Sequence, residues 1–328
     1  MKPFVRAVLF LLLGLLLMVG VGEIFLRLLD PFGISYHAQM RSFFDPQHGA
    51  VRVTERGLRL KPNAQWNVGF PVATNSLGLR DRELAREKPD KEYRILLLGD
   101  SVVFGWGVRE DETFGHLIEE ELNRDRTDGK HVEVVNGSVP GWNGADEARF
   151  LEDTGLSFRP DLVLLLFIPD DVPRDAEPEE VRDRDRKQGR WGRFLFSPWF
   201  ETFYLKQFLK HFYWLGLQDA GVLEETIGVR NFDKEPDARQ AYRMILAEMV
   251  RMTRRNGARF ALLDGLGRDY ARAFAQELEI PYIVVLPGYD VTPPEYRISD
   301  VDGHPNPRCH RVMAANILAG LRDNGLTP

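Results

Sequence analysis

The sequence predicts an α/β protein, with a central, mainly parallel sheet between two helical layers and a transmembrane helix at the N-terminus. Three observations predict it. From residue 93 onward short apolar runs alternate with longer amphipathic ones, the rhythm of strands and helices in a parallel sheet. One run, "DLVLLLFI" from Asp161, is apolar almost throughout, as a strand covered on both faces must be. The stretch "AVLFLLLGLLLMVGVG", residues 7–22, carries no charge at all.

That stretch follows Lys2 and Arg6 and runs on into Glu23 and "IFLRLL". A bilayer core takes about 20 largely apolar residues, so Ala7 to about Leu29 qualifies with Glu23 and Arg27 at the far interface. We read residues 1–29 as a retained signal anchor. A cleaved signal peptide is the rival, but the small-x-small cleavage pattern is poor and the helical pattern continues beyond it. With Lys2 and Arg6 held inside, the rest of the chain lies outside the cytoplasm, a single-pass protein of the cell membrane. Residues 30–92 mix aromatic residues with turn formers and show no long period, which predicts an irregular segment or short strands leading into the domain. Within it, "DRELAREKPDKEYR" reads as a solvated approach to the first strand.

Residues 93–328 form the predicted domain. Tyr93 to Leu98 is its first strand, and "DETFGHLIEEELNRD" places Phe114, Leu117, Ile118 and Leu122 on one helical face. "HVEVVN" is a strand, "GADEARFLEDTGL" a helix and "DLVLLLFI" the third strand. "DARQAYRMILAEMVRMTRRNG" is a long helix, followed by strand "ARFALLD", helix "RDYARAFAQEL", strand "PYIVVL" and the last helix, "NPRCHRVMAANILAGLRDNG". An insertion, 174–216, breaks the rhythm. Its first part, 174–190, is charged and reads as an exposed loop. The aromatic-rich part, 191–216, has two readings: a helix packing on the domain, or a lid or membrane-facing patch.

Composition sets the outer bounds. The 328 residues are 44% hydrophobic and 28% charged, a folded globular balance, and the net charge of −6 gives no basic field for a nucleic-acid partner. The single cysteine, Cys309, excludes an internal disulfide. No phosphate-binding G-x-x-x-x-G-K-[ST] motif occurs. His304, Cys309 and His310 are of metal-ligating type, but there is no second Cys/His pair at zinc-like spacing, and Cys309 and His310 fall inside a predicted helix. We expect neither metal nor cofactor.

In "YRILLLGDSVVFGWGV" an apolar strand runs into Gly-Asp-Ser, so Ser101 falls at the carboxyl end of a strand, where parallel sheets bind ligands. An oxygen nucleophile needs a base, a group to orient it and donors for the oxyanion. His304, in the turn-rich "SDVDGHPNPRCH", is the best candidate base, with Asp302 and Asp300 as nearby carboxylates.

"GDS" after the first strand, "NGSVPGWN" after the second, "PDD" after the third and "DGHPN" before the last helix resemble the four blocks of the SGNH hydrolases, the GDSL esterase/lipase family. The resemblance spans roughly residues 93–324. "TNSLGLRDRE", together with the apolar N-terminus, is similar to a membrane-anchored bacterial subgroup. The resemblance implies a flavodoxin-like fold and an extracytoplasmic serine esterase acting on a small-molecule or polymer-linked ester. It makes Ser101 the nucleophile, His304 the base and Asp302 its orienting carboxylate. The oxyanion hole falls to the N–H groups of Ser101 and Gly141 and to position 170.

Two departures stand out. The family places Asp three residues before its His, where this chain has Val301. Asp302 is preferred to Asp300 because "DGHPN" keeps the turn formers together. In the third block the family has Asn, a donor, where this chain has Asp170 beside Asp171. Three readings follow: Asp170 stays protonated and donates, it turns away, or hydrolysis is lost and the fold is kept for binding. An O-acyltransferase acting on an envelope carbohydrate is the other alternative.

Overall fold

The structure is a computed structural model that describes residues 2–30, 33–45, 48–85, 87–168, 203–209, 212, 236–288, 293–299 and 302–328. It divides into two compact units. One comprises Met1–Ala38 and Arg174–Val229, the other Gln39–Pro173 and Arg230–Pro328.

In the smaller unit, α1 (Pro3–Leu29) is long and apolar enough to cross a membrane, a property shared by anchors and signal sequences. Asp30, at φ 38°, closes α1, and its carboxylate accepts the N–H groups of Ile34 (2.6 Å) and Ser35 (3.1 Å) at the start of α2 (Ile34–Phe44). A short helix at 204–209 belongs to the same unit.

Two small antiparallel hairpins open the larger unit: β1 (Val51–Thr54) with β2 (Gly57–Leu60), and β3 (Gln65–Asn67) with β4 (Pro71–Ala73). Each strand has at most four residues, too few to leave a readable period, so the expected irregular stretch at 30–92 contains ordered elements. The main sheet is parallel: β5 (Glu92–Gly99), β6 (His131–Ser138), β7 (Leu162–Phe167), β8 (Arg259–Asp264) and β9 (Tyr282–Val284), in the order β6-β5-β7-β8-β9. The helices are α3 (Ser101–Phe104), α4 (Phe114–Asn123), α5 (Gly144–Asp153), α6 (Pro236–Arg255), α7 (Asp269–Glu277) and α8 (Pro307–Asp323).

The helices follow from the apolar spacing. Phe114 and Ile118 bring α4 onto the sheet face that also receives Met313, Ile317 and Leu321 of α8. That face takes Ile95 and Leu97 of β5 and Leu162, Leu164 and Leu166 of β7. The alternate residues, such as Val163, Leu165 and Phe167, are equally buried, with Phe167 against Tyr242 of α6. Burying each such side chain contributes about 1.5–3 kcal/mol, which is why β7 reads as an unbroken apolar run.

The charged approach to β5 is not simply solvated. Arg94 is fully buried; its Nε donates to Glu133 (2.6 Å) and its Nη1 to the Phe158 carbonyl (2.7 Å). Arg82 bridges Glu119 and Glu133, and Lys88 pairs with Asp161. A charge of this kind is tolerated inside because each of its neighbours is an acceptor. Arg94→Met leaves Glu133 short of its closest cation, so we expect a loss of about 3–5 kcal/mol of unfolding free energy. Urea unfolding checks this.

Candidate active site

Strand β5 ends at Gly99, and the chain turns at once into the one-turn helix α3. A Cβ on Gly99 would collide with Val103 Cγ2, so glycine lets α3 fold back against the strand. Asp100 caps the turn, its Oδ1 accepting the Val102 N–H at 2.9 Å. Ser101 is thereby held at the first position of α3, just beyond the carboxyl end of β5. From β5 the chain steps outward to β6 and then returns to β7 on the other side, so the reversal of strand order falls at β5, the strand that Ser101 follows.

The loop before α8 meets Ser101 there. His304 Nε2 lies 2.8 Å from Ser101 Oγ, and His304 Nδ1 lies 2.6 Å from Asp302 Oδ1. Asp302 is buried, and its Oδ1 also accepts the His304 backbone N–H at 3.0 Å. The loop is tied to itself: Ile298 N–H donates to the His304 carbonyl (2.9 Å), and Asp302 N–H donates to Ser299 Oγ (3.1 Å). Hydroxyl, imidazole and carboxylate therefore form one hydrogen-bonded line across 203 residues of sequence. Chemically, such a line moves a proton from the hydroxyl to the ring while the carboxylate fixes the ring tautomer.

Gly141 lies on the loop after β6, three residues beyond Ser138, which is in register with Gly99. Its φ of +82° is one that a side chain would strain, and it is exposed beside the Phe44 ring. Among the described residues no acceptor is paired with the N–H of Ser101 or of Gly141. Asp170, Asp171, Asp300 and Val301, with most of the insertion 174–216, lie outside the described residues. The other ring in the metal-type cluster is engaged elsewhere: His310 Nδ1 accepts the Phe114 N–H at 3.1 Å, and burial lowers its pKa to about 3.

Sequence reasoning passed over Arg80. It belongs to "TNSLGLRDRE", a self-contained turn in which the Asn75 Oδ1 accepts the N–H groups of Leu77 and Leu79, both at 3.0 Å. The turn delivers the Arg80 guanidinium into the interior, where Nη1 donates to the carbonyls of Phe104 (2.9 Å) and Gly105 (2.7 Å). Nη2 donates to those of Val108 (2.7 Å) and Pro71 (3.2 Å). Burial lowers its pKa to about 10, so it stays a cation at neutral pH, over the rings of Phe104 and Phe70.

Three of those four carbonyls belong to the last residue of α3 and the loop that follows it. In that loop Trp106 N–H donates to the Ser101 carbonyl (2.9 Å), and the Trp106 ring lies 6.1 Å, centroid to centroid, from His304. Arg80 thus grips a segment that touches both Ser101 and His304. The signal was present in the sequence as an arginine in a glycine-containing turn, but nothing in the sequence places that turn beneath residues 104–108. Arg80→Lys keeps a charge but cannot fork to four carbonyls. Because small displacements of reacting groups are costly, we expect the reactivity of the Ser101 hydroxyl toward a fluorophosphonate to fall about 10²-fold; a time course of labelling checks this.

One acid lies beside Ser101 and a second is coupled to that acid electrostatically. Asp100 Oδ2 lies 3.4 Å from Ser101 Oγ, and burial raises the Asp100 pKa. Glu147, in the first turn of α5, is fully buried with no partner for either oxygen, and burial pushes it well above the carboxylate range, assisted by Asp100 and Asp146. Its folded pKa is raised, so between about 4.5 and that value the folded protein keeps a proton that the unfolded chain releases, and stability falls as pH rises. Glu147→Gln removes this penalty. We expect its stability advantage over the parent to grow by on the order of 1 kcal/mol per pH unit above about pH 5, read from unfolding curves at several pH values.

No protein-family model matches the chain, and no curated protein matches it. Among solved structures the chain is similar to TesA, at 16% identity over 70% of this chain and 98% of that one, with a TM-score of 0.41. It is also similar to the psychrotrophic esterase EstA from Pseudoalteromonas sp., at 14% identity over 70% and 97%, TM-score 0.44. A third is the acetylxylan esterase Axe2 from Geobacillus stearothermophilus, at 12% identity over 70% and 94%, TM-score 0.40. At these scores the likenesses carry no argument about activity, which must come from the geometry.

Proposed function

We propose that the protein is a serine esterase of the SGNH type, held by α1 in the cell membrane with its larger unit outside the cytoplasm. One observation carries the reading: the line from Ser101 Oγ through His304 to buried Asp302, at 2.8 and 2.6 Å, set at the switch point of a parallel sheet. In this reading Ser101 Oγ attacks the ester carbonyl carbon while His304 Nε2 takes the hydroxyl proton. The oxyanion that forms is met by the N–H groups of Ser101 and Gly141. Collapse expels the alcohol, which receives the proton from His304, and leaves the acyl group on Ser101. Water then attacks this acyl-enzyme, giving a proton to His304; collapse releases the acid while His304 returns that proton to Ser101 Oγ, which restores the hydroxyl. Asp302 keeps the Nδ1 proton in place throughout.

A fluorophosphonate probe tests the proposal directly. The folded parent labels at Ser101, located by mass spectrometry; Ser101→Ala does not label, and His304→Ala labels more slowly by about 10² or more. A folded parent that resists the probe overturns the reading.

A further inference from the structure

The short helix at 204–209 has its polarity reversed for a helix in water. Lys206 and Gln207 are covered, at 8% and 6% exposure, whereas Phe203, Leu209 and Phe212 stand out at 40%, 47% and 46%. A helix in water buries its apolar residues and exposes its charges. An apolar face turned outward, with the polar side chains drawn in, suits a surface that is itself apolar.

The helix is fixed to one place on α1. The two carboxylate oxygens of Glu23 accept the N–H groups of Tyr204 (2.9 Å) and Leu205 (2.8 Å), the unpaired donors that begin a helix. Arg27 pairs with Glu23 at 2.8 Å and lies over the Tyr204 ring, 5.1 Å from its centroid. Glu23 directly follows the uncharged stretch 7–22, which spans about 24 Å as a helix. With Arg6 snorkelling back to the inner surface, α1 from Pro3 to Gly22 spans about 30 Å, which puts Glu23 where the hydrocarbon gives way to headgroups, and the next turns of α1 expose Ile24, Phe25, Leu28 and Leu29. The outward faces of the two helices are therefore tied together at one level.

We infer that residues 203–209 with Phe212 form a membrane-interface patch, in which Glu23 seats the helix at 204–209 beside the outer end of α1 and Phe203, Leu209 and Phe212 enter the headgroup and upper acyl region of phospholipid. The inference rests on the reading of α1 as a retained anchor. It assigns to Glu23 the task of holding the patch at that depth, and it makes part of the insertion a second, shallow membrane contact.

The test uses the full chain in phosphatidylcholine/phosphatidylglycerol vesicles, with an environment-sensitive dye on Leu209→Cys or, separately, on Leu16→Cys. The native cysteine, Cys309, is buried, and the parent supplies the labelling blank. Lipids spin-labelled near the headgroup should quench the dye at 209 about twofold, more than lipids labelled deep in the chain, with the order reversed at 16. Glu23→Leu should abolish quenching at 209 and leave 16 unchanged. Quenching at 16 without quenching at 209, or equally deep quenching at both, overturns the patch while the anchor stands. Absence of quenching at 16 overturns the anchor and the patch with it. Full quenching at 209 in Glu23→Leu overturns the role of Glu23.

Discussion

The pairing of β5 with β6 on one side and β7 on the other is the constraint on which the rest depends. A strand between two parallel neighbours has every backbone group engaged and both faces buried, so its end cannot drift. Whatever follows Gly99 is delivered to the strand end at which the chain reverses its direction of travel across the sheet. Ser101 stands at that strand end for this reason, and the loop before α8 meets it there. The local sequence needs to add only a sharp turn and a cap, which Gly99 and Asp100 supply.

Rigidity at that position is reinforced from outside the sheet. The Arg80 guanidinium satisfies three carbonyls between the end of α3 and Val108, and buried carbonyls without donors are costly. The loop in turn presents Trp106 to the Ser101 carbonyl and to the His304 ring. A further contact runs the same way: a Cβ on Gly107 would press into Ile298, whose N–H holds the His304 carbonyl. The hydroxyl and the imidazole are thus referred to one scaffold although they come from opposite ends of the domain, and a proton can pass only when both are placed together.

The charges inside the molecule divide by surroundings. Arg80, Arg94 and Asp302 are buried with acceptors or donors on hand, and each fixes a loop or a strand end. Glu147 is buried with none, and a carboxyl so placed avoids the cost of ionisation by keeping its proton. Glu23 and Arg27 pair beside the 204–209 helix and orient it through its first N–H groups. In each case the side chain acts on backbone groups, so its effect reaches further than its own contacts.

Much of the fold was legible in the sequence, because burial writes itself as periodicity: the two-sided strand "LVLLLF" and the faces of α4, α6 and α8 can be read directly. The hairpins were legible only as one of two readings and α2 not at all, since strands of at most four residues leave no period and the apolar residues of α2 mark no single face. For the site, the residues themselves indicated Ser101 and His304, with Asp302 or Asp300 beside it, because turn-rich blocks at strand ends are local features, while Gly141 and the choice of Asp302 came from the resemblance to the SGNH blocks. By itself the sequence determined the alternation of strands and helices and the chemistry available at their ends. Only the tertiary structure decided that Ser101 and His304 stand 2.8 Å apart, that Arg80 grips the loop between them, and that Glu23 caps a helix 181 residues away. These are contacts between distant segments, fixed by strand order and packing rather than by any pattern within reach along the chain.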